Sequence, residues 1–450
     1  MQKKVIYLAD DLTGACDTAS YICDYTGEAI VILNNDEIGI NKSRIPEDND
    51  AAGNFVISTN TRDLSVEDAR LKLHELGKFL TNVESRIIFK KIDSAFRGNV
   101  VLEINTLMDI FNKNICFIIN CIPSMDRITL GGFQLIKGKL LDDSEFIKDP
   151  VKAPVSPFIP YLFTENNQDI SSRKTCHVFL ETVRYGDILN VLRDATDKNI
   201  SIFSFDAVTK DDIEKIVDIL YREFGNALFV GTLGLLEALN KKIFKNNQQT
   251  GEINKKHKNF ETVDFKKVSK SNEKCFGDDF TDYIGFTSSK YEITKKQIDK
   301  LKKKKNTEIY KIKINDFLNK KDKNQTSKIV SISDEIVKNY DKSGLFVITE
   351  FKGKKEPQKL SGLILRILSE ISVNILKSLK FGRIILIGGE TALSILKTFK
   401  VSNIKIMGRI IDGISYGIVS DGLLEGKGVL IKGGSVGDAN SIINMVNFEF

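Results

Sequence analysis

The sequence predicts an α/β protein of two domains, each with a mostly parallel sheet flanked by helices and with the active site expected in the cleft between them. Three observations predict it. Short apolar runs alternate with amphipathic helical patterns through the first 240 residues, and a second series of the same kind begins near residue 279. Between them lies a polar, lysine-rich stretch without period. The expected division is therefore a domain over 1–240, a linker over 241–278 and a domain over 279–450. A chain of 450 residues also exceeds one ordinary core.

In chain order, the strand-like runs of the first half are VIYLA, AIVILN, NFVISTN, RIIFKKID and ICFIINCIP. Helical patterns over Val66 to Leu80 and Val100 to Phe111 separate some of them. After Pro123 the pattern loosens into a Gly- and Pro-containing stretch, read as a functional loop because strand pattern resumes with HVFLETV, ISIFSFDAV and ALFVGTLG. Beyond the linker come DYIGFTSS, TEIYKIKI, GLFVITE, RIILIGGE and KGVLIKGG, each ending in a glycine or polar turn. A helix carrying Ile293, Gln297, Ile298 and Leu301 on one face ends in Lys302 to Lys305, where cations suit the helix C-terminus. That run is read as a solvated helix end and not as a nucleic-acid patch.

Bulk properties exclude several classes. Net charge is +6, from 66 basic and 60 acidic residues spread along the chain, so no nucleic-acid partner is expected. No apolar run approaches the roughly 18 residues that span a bilayer, and the opening MQKKVIYLADD lacks signal-peptide character. A cytoplasmic protein with no membrane partner is expected, and a homo-oligomer is compatible with the sequence. The six cysteines form no CxxC pair, so disulfides and a zinc site are not expected. His74, His177 and His257 are read as structural or solvent-facing.

The chemistry concentrates where strands end, since open α/β sheets bind ligands at the carboxyl ends of their strands. The first run leads into Asp10, Asp11, Thr13 and Gly14 where a dinucleotide-binding domain would have a glycine-rich turn. Other runs end in Asn60, Thr61 and Arg62, and in Lys90, Lys91, Asp93, Ser94, Arg97, Gly98 and Asn99. This mixture suits a small polyhydroxylated anion: carboxylates accept hydrogen bonds from hydroxyls, while Arg62, Lys91 and Arg97 grip a carboxylate. The second half has glycines instead. Gly388, Gly389, Glu390, Thr391 and Ala392 follow RIILI and open a helix pattern, which aims backbone N–H groups at an anion such as phosphate. Thr287-Ser288-Ser289 and Lys432-Gly433-Gly434-Ser435-Val436-Gly437 are two further loops of small residues, the latter with a cation.

Taken together, ADDLTGACD, KKIDSAFRGN, PSMDRITLGGFQLIKGKLLDDSEFIKDP, SSKYEITKKQI, IGGETA and KGGSVGD resemble, in order, the motifs of the four-carbon acid sugar kinase family. That family phosphorylates threonate, erythronate or 3-oxo-tetronate with ATP, using an N-terminal sugar-acid domain and a C-terminal nucleotide domain. The resemblance implies that Asp10, Asp11, Arg62, Lys91, Asp93, Ser94, Arg97 and Asn99 line the sugar-acid site. It implies that Ser289, Gly388, Gly389, Glu390, Thr391 and Gly434 contact ATP. The chain departs from the family pattern at Ser288-Ser289, at Ser435-Val436-Gly437, and at Ala95 and Phe96. The expected activity is ATP- and Mg²⁺-dependent phosphorylation of the terminal hydroxyl of a four-carbon sugar acid. Asp11 is the expected base, Asp93 the alternative and Asp438 a third. Rival readings are a sugar-acid-binding or regulatory protein without transfer, and a nicotinamide-dependent oxidoreductase, against which the missing GxGxxG counts.

Overall fold

The computed structural model describes residues 5–33, 55–81, 87–148, 153–164, 173–248, 280–304, 306–318, 324–340, 343–353 and 358–449. These fall into two compact units, one ending with Gln248 and one beginning at Phe280, apart from residues 27–30, which group with the second.

In chain order the first unit contains β1 (Val5–Ala9), α1 (Leu12–Thr26), β2 (Ala29–Leu33), β3 (Phe55–Ser58), α2 (Val66–Leu80), β4 (Ile87–Lys91), α3 (Val100–Ile110) and β5 (Cys116–Ile119). There follow β6 (Arg127–Leu130), β7 (Phe133–Ile136), β8 (Lys139–Leu140), β9 (Lys174–Val178), α4 (Leu180–Tyr185) and α5 (Ile188–Thr196). The unit closes with β10 (Ile200–Phe205), α6 (Lys210–Glu223), β11 (Leu228–Gly231) and α7 (Leu233–Gln248). Its main sheet has the order β2-β3-β1-β4-β11-β5-β10-β9, with parallel pairing from β3 to β9. Because both faces of such a sheet are covered, its strands are apolar throughout: every residue of β1, β3, β5 and β11 is buried.

The chain leaves β1 toward β2 on one side, returns through β3, and then crosses β1 to reach β4 on the other. Right-handed crossovers taken in opposite directions put their helices on opposite faces. Accordingly α2 packs on α3, whereas α1 and α6 pack on α7. The reversal leaves a crevice between the carboxyl ends of β1 and β4, where open α/β sheets bind ligands. The aromatic core beneath includes Phe89, Phe117, Phe203 and Phe229, all fully buried.

The stretch expected to be a loop after Pro123 is instead a small antiparallel sheet, β6-β7-β8. The expected linker start also falls inside a helix, since α7 runs to Gln248; residues 249–279 lie outside the described residues.

The second unit contains β12 (Phe280–Thr287), α8 (Glu292–Leu301), β13 (Thr307–Lys313), α9 (Gln325–Asn339), β14 (Gly344–Glu350) and α10 (Gln358–Ser378). It continues with β15 (Lys380–Ile387), α11 (Gly389–Thr398), β16 (Asn403–Ile411), β17 (Ile414–Val419), β18 (Gly428–Lys432) and α12 (Ser441–Asn447). Its strand order is β13-β14-β12-β15-β18-β17-β16. The first five are parallel, and β17 runs antiparallel to both β18 and β16. Here too the direction reverses: β12 leads outward to β13, and β14 crosses β12 to reach β15. The second crevice lies between β12 and β15. No described helix is long and apolar enough to cross a membrane.

Candidate functional site

At the first crevice the residues singled out from the sequence converge. Asp11 begins α1: its Oδ1 accepts from Gly14 N at 2.8 Å and its Oδ2 from the Thr13 hydroxyl at 2.5 Å. A carboxylate here satisfies an orphan N–H of the helix and meets the positive end of its dipole. Arg62, just past β3, bonds Asp10 through Nε and Nη2 and Asp11 through Nη1 and Nη2, each at 2.8 Å. Its Nη1 also lies 3.9 Å from Asp93 Oδ1. Arg97 closes on Asp93, with Nε to Oδ2 at 2.9 Å and Nη2 to Oδ1 at 2.8 Å. Gly98, at φ +93°, lets the chain pass Arg62, where an added Cβ would meet Arg62 Cγ at 2.9 Å.

The sequence predicts Arg62 and Arg97 as grips for a substrate carboxylate; in the structure their guanidinium groups also pair with Asp10, Asp11 and Asp93. Two carboxylates at the end of β1 and one after β4 need these cations, because an unpaired buried charge is costly.

The electrostatics reflect this pairing. Burial acts to raise Asp93, but Arg97 above all, with Arg62 and Lys91, holds it well below the usual carboxylate range. Burial likewise opposes Asp10 ionisation, and Arg62 with Lys90 and Lys91 brings that carboxyl below its ordinary value. Lys91 is lowered by burial, partly offset by Asp10, Asp17 and Asp11, and its Nζ donates to Ile92 O at 2.8 Å. Lys90 points to the opposite face of β4, as alternation requires. It forms a fully buried pair with Glu103 of α3 at 2.5 Å. Burial raises the Glu103 carboxyl against the pull of Lys90.

Asn60 and Phe96 hold left-handed backbone at φ +52°, and Asn60 Oδ1 accepts from the Ser58 hydroxyl at 2.7 Å. Such angles are sparsely populated away from glycine and cluster at functional sites. Asn99 donates to Thr61 O and Leu64 O at 2.8 and 3.0 Å, so it staples the loop after β3 to the start of α3. Ser94 is buried, and its hydroxyl accepts from Arg127 Nη1. Sequence reasoning alone misses Arg127, together with Asn120 and Gln134 behind it. The signal was present: Leu130-Gly131-Gly132-Phe133 is a two-residue hairpin turn between alternating runs, with φ of +62° and +79° at its glycines.

Of the histidines, His74 is exposed, and His257 lies outside the described residues. The His177 side chain lies between the Ser204 hydroxyl (Nδ1, 2.8 Å) and Asp206 (Nε2, 2.9 Å).

At the second crevice Gly388 takes φ +97° and turns the chain from β15 into α11. Its N–H donates to Lys432 O at 2.8 Å and its carbonyl accepts from Ala392 N at 2.9 Å. The first-turn amides of Gly389, Glu390 and Thr391 therefore head α11, where intrahelical acceptors are lacking. Thr391 Oγ1 bonds the Ser288 hydroxyl at 2.8 Å, so Ser288 ties the end of β12 to α11. Ser289 donates to the Thr294 hydroxyl at 3.2 Å, which in turn donates to Gly434 O at 2.6 Å. Lys432 is fully buried at the end of β18, its Nζ donating to Gly433 O at 2.9 Å, and burial lowers its pKa to about 7. Gly437 adopts φ +85°. Asp438 lies in the same loop, but its Oδ1 is engaged by Asn440 N and the Ser441 hydroxyl at 2.9 and 3.0 Å.

Comparison with known proteins agrees with this division. A family model described as a sugar-binding N-terminal domain matches residues 5–239, and one described as a nucleotide-binding C-terminal domain matches residues 287–442. A D-threonate kinase of Salmonella typhimurium is 28% identical over 247 residues, covering 55% of this chain and 55% of that protein. A D-erythronate kinase of Heliobacterium modesticaldum is 25% identical over 228 residues, 48% of each chain. A 3-oxo-tetronate kinase of Escherichia coli is 27% identical over 184 residues, 40% of this chain and 45% of that one. The chain thus spans about half the length of the curated relatives it matches. Two solved structures share the fold at 16% identity: one from Salmonella typhimurium LT2 (TM-score 0.72, 98% of each chain) and one from Haemophilus influenzae (TM-score 0.61, 97% of each). With both models matched in order over two separate α/β units, this chain belongs to the family that joins a sugar-binding N-terminal domain to a nucleotide-binding C-terminal domain, the architecture of the four-carbon acid sugar kinases.

Proposed function

We propose that this protein is an ATP-dependent kinase that phosphorylates the terminal hydroxyl of a four-carbon sugar acid of the threonate, erythronate or 3-oxo-tetronate class. The observation that carries the reading is the content of the two crevices: a polar, carboxylate- and cation-rich one in the sugar-binding unit, and a helix N-terminus with a glycine turn and a lysine in the nucleotide-binding unit.

In the reaction the substrate hydroxyl oxygen forms a bond to the γ-phosphorus, the bond from that phosphorus to the β–γ bridging oxygen breaks, and ADP leaves. The hydroxyl proton passes to Asp11. Asp93 is held bidentate by Arg97, and Asp10, held bidentate by Arg62, is the most buried of the three. The α11 amides, Gly388 and Lys432 would hold ATP phosphates, with Ser289 and Gly434 beside them. Mg²⁺ would neutralise charge on the transferring phosphoryl group. It would arrive largely on the phosphates, as Mg²⁺ commonly does; among the described residues no three His, Cys, Asp or Glu side chains gather to hold a metal. The reading puts the reaction in the cytoplasm, where ATP is supplied.

The test is a coupled assay of ADP formation by the full chain with Mg²⁺-ATP across D-threonate, D-erythronate, 3-oxo-tetronate and neutral tetritols. Saturable turnover with at least one of the acids is expected. ADP formation that no four-carbon acid stimulates would refute the reading.

A further inference from the structure

We infer that Thr294 and Gln297 are positioning residues of the nucleotide site, which hold the loop after β18 by its carbonyls so that its N–H groups are presented to the ATP phosphates; this rests on the nucleotide site proposed above. Both side chains project from one face of α8, at i, i+3 spacing, and both are almost fully buried. Thr294 Oγ1 donates to Gly434 O at 2.6 Å. Gln297 Nε2 donates to Asp438 O at 2.7 Å and to Val436 O at 3.2 Å. Alternate carbonyls of the loop from Gly434 to Asp438 are thus drawn onto one helix. The Thr294 hydroxyl also accepts from Ser289 Oγ at 3.2 Å, so the same residue joins this loop to the one that follows β12.

In a planar trans peptide the C=O and the following N–H point in opposite directions, and no peptide bond among the described residues is cis. Carbonyls of Gly434 and Val436 turned toward α8 therefore turn the N–H groups of Ser435 and Gly437 away from it. The loop is half-buried from Gly433 to Val436 and exposed at Gly437, so the side away from α8 is the accessible one. Backbone N–H groups turned to one side of a turn in this way make an anion-binding concavity. Lys432, at the start of the same loop, adds an ammonium. Stability alone does not explain the glutamine. Its Oε1 is buried and meets no donor among the described residues, which costs free energy. Ile298 and Leu301 beside it on α8 belong to an apolar cluster with Leu430, Ile442 and Met445, where an unbranched apolar side chain of the same length would carry no such cost. The glutamine is explained by the two carbonyls it holds and by the loop conformation that follows, with Gly437 at φ +85°.

The experiment compares the parent full chain with Gln297→Met, Thr294→Val and Thr294→Ser. It measures ATP affinity by calorimetry, melting temperature, and the KM of Mg²⁺-ATP and of the best acid among D-threonate, D-erythronate and 3-oxo-tetronate. Methionine and valine keep the side-chain size and remove the donor. Gln297→Met and Thr294→Val are each expected to weaken ATP binding and raise its KM by about tenfold, as loss of one or two hydrogen bonds does, while the acid KM stays at the parent level. Thr294→Ser keeps the hydroxyl and should recover most of the parent affinity. A merely structural role would lower the melting temperature without that split between the two substrates. Parent-like ATP affinity in Gln297→Met or in Thr294→Val removes that residue from the role, and in both it overturns the inference. If Gln297→Met does not fold, the Thr294 pair decides: a serine variant that binds ATP better than the valine one supports the role, and equal affinities reject it. A parent that binds ATP but phosphorylates none of the acids defeats the kinase reading alone, and the calorimetric affinities still judge Thr294 and Gln297. A parent that binds no ATP defeats both.

Discussion

Arg62 lays Nε and Nη2 on the two carboxylate oxygens of Asp10, each at 2.8 Å, and the pair is nearly closed to solvent, with side-chain exposures of 13% and 3%. Removing one partner of such a pair strands the other charge. Arg62→Ala is therefore expected to cost about 3–5 kcal/mol of stability, and Arg62→Lys to restore little, because an ammonium cannot span two carboxylates. The folded Asp10 pKa is depressed below its ordinary 3.8. Its contribution is therefore present above the unfolded value and is lost as pH falls through the folded one. In Arg62→Ala the burial effect is opposed by Lys90 and Lys91 without the arginine, so the acid limb of stability should move to higher pH. Urea titrations between pH 7 and pH 3 measure both effects. A loss under about 1 kcal/mol, the size of an exposed pair, would reject this account of Arg62.

Asp11→Asn is expected to lower turnover by about 10²–10⁴, the usual cost of losing a general base, with ATP affinity unchanged. Asparagine still caps α1, so folding should survive. Equal melting temperatures would establish that. Activity within a few-fold of the parent, beside an inactive Asp93→Asn, would transfer the base role to Asp93.

Lys432 is expected to link nucleotide binding to pH. Burial depresses its pKa from 10.5 to about 7, so between those values the unfolded chain holds more protons and stability rises with pH. An ATP phosphate beside the ammonium would raise the folded pKa again. ATP binding at pH 8 should therefore take up a proton, visible as calorimetric enthalpies that differ between buffers of different ionisation enthalpy. The difference should disappear in Lys432→Met. Buffer-independent enthalpy in the parent would place Lys432 away from the phosphates.

Gly389→Val puts a branched side chain at the first turn of α11, where the phosphate amides are proposed to lie. The ATP KM should rise by at least about tenfold, consistent with the loss of one charge-assisted contact. Affinity for the sugar acid should stay at the parent level. Unaltered ATP affinity would remove α11 from the nucleotide site.

Much of the fold is legible in the sequence because fully buried parallel strands read as apolar runs, and the residues just past each run must lie at the carboxyl edge. Asp10, Arg62 and Asp93 can be grouped on that ground alone, and the helix over Val66–Leu80 is legible to the residue. Strand order is not legible, so the crevices between β1 and β4 and between β12 and β15 cannot be distinguished from other strand ends. Side-chain partners are hidden for a related reason: Arg62 and Asp11 are 51 residues apart, and nothing local says that the fork meets protein before substrate. The β6–β8 sheet is legible only through its Gly131-Gly132 turn, because its strands are just two to four residues long. The polar end of α7 reads as linker because composition there outweighs the helical phase continuing from Leu233.

Phosphorus NMR of the product shows whether phosphate passes from ATP to a four-carbon sugar acid. With the full chain, Mg²⁺-ATP and the best acid of the panel, a new phosphomonoester resonance is expected to grow in step with ADP, coupled to the terminal methylene protons of the acid. ADP accompanied by inorganic phosphate alone, or no change in the ATP resonances with any of the acids, would contradict it.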